Sequence, residues 1–173
     1  MIIGFAGLAG SGKDTAAQVL GLPTHKFASG IVEDLLDVNP LVDCKVRFVD
    51  AVWEHGLEEA KRRYPEVRRV MQEYGMKLRE TDEYHWIKRL HDGIDLELDV
   101  AITDVRFTNE LHYVQDLDGP VIWIERPGIA KLDHISERSI DAKECDYIVV
   151  NDGSLDDLKA NLQDIISSWT SRP

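Results

Sequence analysis

The sequence is poor in cysteine and in positive charge, and it has no long apolar run. Two cysteines in 173 residues, Cys44 and Cys145, make no disulfide framework. That excludes a small disulfide-stapled secreted scaffold and points to a reducing compartment. Lys and Arg number 20 against 32 Asp and Glu, for a formal net charge of −12. A duplex-binding protein needs a basic face to displace counterions, so a nucleic acid polymer is not an expected partner. A small anionic ligand stays admissible, because a local arginine cluster overrides the global field. No stretch approaches the roughly 20 apolar residues that span a bilayer. The opening Met1-Ile2-Ile3-Gly4-Phe5-Ala6 is too short for an export signal and lacks its basic flank. A cytoplasmic protein with no membrane contact is therefore expected. Internal repeats and low-complexity tracts are also absent. Glycine (12) and proline (6) stand near average, which excludes collagen-like and disordered chains.

What is present is a soluble globular composition, 43% hydrophobic and 30% charged, of a length that suits one ordinary domain spanning 1–173. Ile2 to Ala6 reads as a short buried strand, Gly7 to Gly12 as a loop and Lys13 to Leu20 as a helix. His25-Lys26-Phe27 predicts a second strand. Ser29 is placed as the N-cap of a helix over Ile31 to Leu36, and Asp37 to Lys45 as loop. From about Arg47 to Asp92 the pattern is helical. Strands follow at Leu98–Thr103, Pro120–Glu125 and Asp146–Val150, with a helix over Thr108 to Leu117. Ser154-Leu155-Asp156-Asp157 resembles a capping box opening a last helix to about Trp169. Short strands, apolar on both faces and alternating with helices, predict a parallel α/β sheet of about five strands covered by helices. The long helical stretch, approximately 29–95, predicts an insert over the carboxyl ends of the strands, where such folds bind ligands.

Gly7-Leu8-Ala9-Gly10-Ser11-Gly12-Lys13 falls between a strand and a helix, the context a phosphate loop requires. The glycines permit close backbone approach, and successive N–H groups from Gly7 through Ala9, Gly10, Ser11 and Gly12 form an anion nest. The helix N-terminus adds partial positive charge. Lys13 is expected to reach the β- and γ-phosphates of a nucleotide. Asp14 stands where Ser or Thr usually meets Mg²⁺, and Thr15 follows it. Which of the two faces a metal is left open.

Leu98–Thr103 runs into Asp104-Val105-Arg106-Phe107-Thr108-Asn109-Glu110. An acid at the carboxyl end of a buried strand suits Mg²⁺ or its water shell, and the planar fork of Arg106 suits a phosphate. The alternative is local: Asp104 caps the following helix and Arg106 pairs with Glu110. Pro65 to Arg79 reads as one helix, with Val67, Val70, Met71, Tyr74 and Leu78 as its apolar stripe. Arg68, Gln72, Gly75 and Arg79 share a neighbouring face, two cations and an amide around a position without a side chain. That face suits a phosphate plus a base, or is simply solvated. Arg126 and Arg138 flank an irregular segment, approximately 126–143, and are placed as phosphate clamps on a lid. His134 either orients that lid or is a surface residue. Asn151-Asp152-Gly153-Ser154 follows the last strand, beside a nucleotide base or as a turn and helix cap. The Asn-Lys-x-Asp element of guanine readers is missing, which argues against a GTPase.

Together these segments resemble the deoxynucleoside monophosphate kinases of tailed bacteriophages. The resemblance rests on Gly10-Ser11-Gly12-Lys13-Asp14-Thr15, Arg69-Val70-Met71-Gln72-Glu73-Tyr74-Gly75 and Thr103-Asp104-Val105-Arg106-Phe107-Thr108-Asn109-Glu110. His134-Ile135-Ser136-Glu137 and Asn151-Asp152-Gly153-Ser154 follow in the same order. Met76 departs from the Gly-Thr that the family often carries there. The resemblance implies a P-loop kinase core with a helical substrate-binding insert and a lid. It implies transfer of phosphate from ATP to a deoxynucleoside monophosphate, with Mg²⁺ bridging the ATP phosphates. In that reading Lys13 and the loop serve ATP, with Asn151, Gly153 and Ser154 near adenine. Thr15 and Asp104 serve the metal, the latter through water. Arg68, Arg69, Gln72, Arg79 and Arg106 serve the acceptor, and Arg126 and Arg138 the transferring group. The partners implied are small molecules, the place the host cytoplasm if the protein is phage-encoded, and a homodimer stays open. Alternatives are a dephospho-CoA kinase-like enzyme and a non-catalytic nucleotide-binding protein.

Overall fold

The computed structural model describes residues 1–130 and 139–172. The chain divides into two compact units, one formed by 1–26 with 93–173 and the other by 27–92.

The first unit is built on five parallel strands: β1 (Ile2–Ala6), β2 (Thr24–His25), β3 (Val100–Val105), β4 (Val121–Glu125) and β5 (Tyr147–Val150). Their order is β2-β3-β1-β4-β5, so β1 lies between two strands that follow it much later in the chain. Three helices pack on this sheet: α1 (Lys13–Leu20), α7 (Thr108–Asp116) and α8 (Leu155–Thr170). Strand side chains alternate between faces, and β1 shows the consequence. Ile3 and Phe5 are fully buried in a core with Ala16, Ala17, Leu158 and Leu162 of α1 and α8. Gly4 faces the other way, where a Cβ would stand 3.2 Å from Val105 and Val114. The missing side chain lets α7 approach β1 closely. Every residue of β1 is buried, as the apolar run requires of a central parallel strand.

β4 and β5 each begin one residue later than the sequence reading, and β2 and β3 are shifted further. β2 is Thr24–His25, and β3 begins at Val100 rather than Leu98. Leu98 is exposed, and its N–H bonds the carbonyl of Asp95 in a turn, which delays the ladder by two residues. At the other end Ser154 caps α8 as expected: its hydroxyl accepts the Asp157 N–H at 3.2 Å and donates to the Asp157 carboxylate at 2.6 Å.

The second unit is mainly helical: α2 (Ser29–Val38), α3 (Phe48–His55), α4 (Leu57–Arg63), α5 (Pro65–Thr81) and α6 (His85–Gly93, its last residue outside the unit), with an antiparallel bridge between Leu41 and Arg47 in the loop after α2. Its core gathers Leu35, Val42, Phe48, Ala51, Ala60, Val67 and Met71. Pro65 opens α5, where its missing N–H costs nothing. Ser29 is the first helical residue of α2 rather than its N-cap, a place taken by Ala28. Among the described residues no helix is long and apolar enough to cross a membrane.

Gly119 gives a test of how tightly the sheet unit is packed. It is buried in the turn between α7 and β4, and a Cβ there would fall 2.5 Å from the Ile2 carbonyl oxygen. Backbone does not yield as a side-chain tip does, so Gly119→Ala should cost about 1–3 kcal/mol, the usual scale of overpacking. Urea unfolding should show a lower midpoint with an unchanged slope.

Candidate functional site

The loop between β1 and α1 is shaped by its neighbours. Gly7 has φ +134°, and a Cβ on it would lie 2.4 Å from the Ile124 carbonyl of β4. Gly12 has φ +104°, and a Cβ there would lie 2.4 Å from Nδ2 of Asn151. Only glycine meets both demands, of backbone angle and of space. Gly10, at φ +82°, is exposed. Ser11 is buried, and its Oγ has no hydrogen-bond partner among the described residues. Buried hydroxyls are nearly always bonded, so such an atom inside a Gly-rich loop points to a ligand.

Lys13 is 8% exposed and folds back over the loop. Its Nζ donates to the carbonyls of Gly7 at 2.8 Å and Leu8 at 2.7 Å. The ammonium is thereby held inside the loop.

Asp14 and Thr15 part company in the first turn of α1. The Asp14 carboxylate accepts from the buried Thr103 hydroxyl of β3 at 2.6 Å and pairs with Lys26 at 2.8 Å. Partial burial alone would raise the Asp14 pKa. The bonds from Lys26 and Thr103, with the charges of Lys26 and Lys13, outweigh it and hold the carboxyl below its ordinary 3.8. Thr15 is half-buried. Neither Lys26 nor Thr103 was singled out from sequence, although a threonine in an otherwise apolar buried strand is a signal.

Asp104 and Arg106 stand at and just beyond the carboxyl end of β3, both half-buried. Glu110 takes the capping work that the local reading gave to Asp104. Its buried carboxylate accepts from the backbone N–H of Arg106 at 2.9 Å and of Phe107 at 3.1 Å. Arg126 is exposed just past β4. Arg138 and His134 lie outside the described residues, as does the 131–138 part of the expected lid.

Asn151 follows β5. Its backbone N–H bonds the Glu125 carbonyl at 2.7 Å, and its side-chain amide donates to the Ser11 carbonyl at 2.9 Å. Ser154 is committed to the α8 cap, and a Cβ on Gly153 would meet the Asp157 carboxylate at 2.9 Å. The carboxyl ends of four adjacent strands, β3, β1, β4 and β5, thus carry Asp104 and Arg106, the loop, Arg126 and Asn151.

In the helical unit, Arg68 is exposed and Gln72 and Arg79 are half-buried on α5. Arg69 is exposed and bonded to Glu66 and Glu73 of its own helix. Gly75 is not the open position its spacing suggested. It is buried, a Cβ on it would meet Ile31 of α2 at 2.8 Å, and its carbonyl accepts the Trp86 indole N–H at 3.0 Å. Helix packing fills the gap. Arg89 of α6, which the sequence did not flag, is bonded to Asp34 at 2.6 Å and Glu33 at 2.9 Å.

The family model described as deoxynucleotide monophosphate kinase matches residues 44–162. A putative deoxynucleotide monophosphate kinase of Acanthamoeba polyphaga mimivirus is 29% identical over 94% of this chain and 94% of its own length. The deoxynucleotide monophosphate kinase of Escherichia phage RB69 is 30% identical over 58% of this chain and 44% of its own. That of Enterobacteria phage T4 is 28% identical over 58% and 45%. The chain therefore spans about half the length of the two phage relatives.

The Asp14 contacts give a pH test. A carboxyl with a lowered folded pKa adds stability that is fully present above its unfolded value and lost as pH falls through the folded one. Asp14→Asn keeps an acceptor for Thr103 but removes the charge facing Lys26. At pH 7 it should cost no more than about 1 kcal/mol, since the pair is largely exposed. The cost should shrink as pH falls through the folded Asp14 pKa, which lies below its ordinary 3.8, because wild-type Asp14 is then protonated too. Denaturant titrations of both proteins across that range would measure it.

Proposed function

The chain belongs to the deoxynucleotide monophosphate kinase family, and from that premise we propose that it moves the γ-phosphate of ATP to a deoxynucleoside monophosphate. An acceptor phosphate oxygen bonds the γ-phosphorus, the β,γ-bridging bond breaks, and ADP and a deoxynucleoside diphosphate leave. The observation that carries the reading is the loop itself. Gly7 and Gly12 are fixed by close contacts, Lys13 is buried within the loop, and the Ser11 hydroxyl lacks a partner among the described residues.

Phosphoryl transfer asks for positioning and positive charge more than for covalent help. Lys13 and the loop amides bind the ATP phosphates, except that of Ser11, whose N–H already bonds the Leu8 carbonyl at 3.1 Å, and Lys13 exchanges loop carbonyls for phosphate oxygens. Thr15 and Asp104 offer hard oxygen donors in the first turn of α1 and near the end of β3, the chemistry Mg²⁺ selects. Thr15 would hold that ion directly and Asp104 through water, and when bound it neutralises charge on the phosphates. Asp14 serves the loop by bracing α1 against Thr103 and Lys26. Arg106 binds the acceptor phosphate, and Arg68, Gln72 and Arg79 of the helical unit hold the acceptor nucleotide. Arg69, held by Glu66 and Glu73, balances charge on the helix surface. Arg126 serves the transferring group, as does Arg138. The substrates are small molecules, and the cytoplasm is the place of action.

An ADP-release assay over deoxynucleoside monophosphates, ribonucleoside monophosphates and dephospho-CoA tests the assignment. At least one deoxynucleoside monophosphate should turn over faster than dephospho-CoA. Selective use of dephospho-CoA would reassign the acceptor, and no turnover at all would leave a binding protein. Lys13→Ala should lower kcat/KM by about 10³, the scale of a key electrostatic group. Near-normal turnover by that variant would sink the kinase reading.

The two arginines beyond β3 and β4 should separate kinetically. Arg106→Ala should raise the acceptor KM and lower kcat while leaving the ATP KM nearly unchanged. Arg126→Ala should act mainly on kcat, because a contact made in the transition state alone leaves ground-state binding intact. Varying each substrate in turn measures both, and a raised ATP KM in Arg106→Ala would move that residue to the donor side.

A further inference from the structure

We propose that Asn151 is a positioning residue that sets the phosphate loop from the end of β5 and does not read the nucleotide base. The inference rests on the loop binding a nucleotide phosphate chain, as proposed above. The Ser11 carbonyl is the group that needs a partner. Gly12, next along, already gives its carbonyl to the Ala16 N–H as the first bond of α1. Ser11 precedes the helix and is 1% exposed, so neither the helical ladder nor bulk water readily serves its carbonyl. The Asn151 amide does, at 2.9 Å.

Asn151 is itself anchored, because its backbone N–H bonds the Glu125 carbonyl at 2.7 Å where β4 ends. The side chain therefore reaches the loop from a fixed point. It also explains Gly12: a Cβ there would overlap the amide at 2.4 Å. The two residues form one fitted contact, 139 positions apart in sequence. Fixing the Ser11–Gly12 peptide plane fixes the direction of the Gly12 N–H, which belongs to the phosphate-binding nest. Neighbouring Ser154 is occupied with the α8 cap, and Gly153 lies against the Asp157 carboxylate of that cap.

Two variants and three ligands test the proposal. Asn151→Leu keeps the shape without the donor and keeps water out, whereas Asn151→Ala lets water reach Ser11. Binding of ATP, GTP and base-free tripolyphosphate is measured by calorimetry, alongside the melting temperature of each unliganded protein. Asn151→Leu should weaken all three ligands by the same factor, about tenfold on the scale of one lost buried hydrogen bond. Asn151→Ala should weaken them equally but less. A loss confined to ATP, with tripolyphosphate unaffected, would mean that Asn151 contacts the base and overturns the proposal. Unchanged affinity for all three also overturns it. Should both variants fail to fold, exchange of the wild-type Asn151 side-chain amide protons decides. Protection with and without tripolyphosphate upholds the tie, and exchange as fast as in exposed asparagines refutes it. If the wild type binds none of the ligands, the nucleotide reading fails instead.

Discussion

A loop that leaves the strand and helix ladders has to find other donors for its carbonyls. The segment between β1 and α1 meets this demand with protein donors. The Gly7 and Leu8 carbonyls go to the Lys13 ammonium, the Ser11 carbonyl to the Asn151 amide, and the Gly12 carbonyl to α1. Each donor comes from an element the sheet has already fixed. Lys13 is the first residue of α1, and Asn151 is the first residue beyond β5. The conformation of the loop is thus a property of the sheet unit and not of the loop sequence alone.

This dependence explains the strand order. β1 is central, so the loop that leaves it is flanked by the ends of β3 and β4, with β5 next to β4. The Ile124 carbonyl of β4 closes the space beside Gly7, and Thr103 of β3 anchors Asp14. In an open parallel sheet the crevice at the carboxyl ends of the strands is where ligands bind. Here that edge holds a buried lysine, a carboxylate at the end of β3 and two arginines beyond β3 and β4. An acidic chain thereby concentrates cations at one edge of one unit.

The core elements were legible because they follow simple periodicities. Buried parallel strands give continuous apolar runs, and α1 was bounded by Gly12 and Gly21. Element ends were less legible than element identity. β3 starts late because Leu98 is held in a turn, and Ser29 joins α2 rather than capping it. On α5, helical spacing correctly gave the face shared by Arg68, Gln72, Gly75 and Arg79, but spacing is silent on what packs against a face. Ile31 and Trp86, from helices before and after α5, close over Gly75. The tie between Asn151 and Ser11 was equally invisible, since nothing local joins residues 140 apart.

The Asp14 position shows how a departure from a motif acquires a physical reason. A carboxylate beside the phosphate loop repels a triphosphate when it is free. In this protein it is bonded to Thr103 and Lys26, and its charge is offset by Lys26 and by Lys13. The bond to Thr103 joins the first turn of α1 to β3, one residue before Asp104. The carboxylate therefore works as a brace between two elements that each carry a site residue, and the hydroxyl of Thr15 is left as the neutral oxygen in that turn. Asp14 and Lys26 are therefore best understood as one pair, with Lys26 the last residue before the chain enters the helical unit.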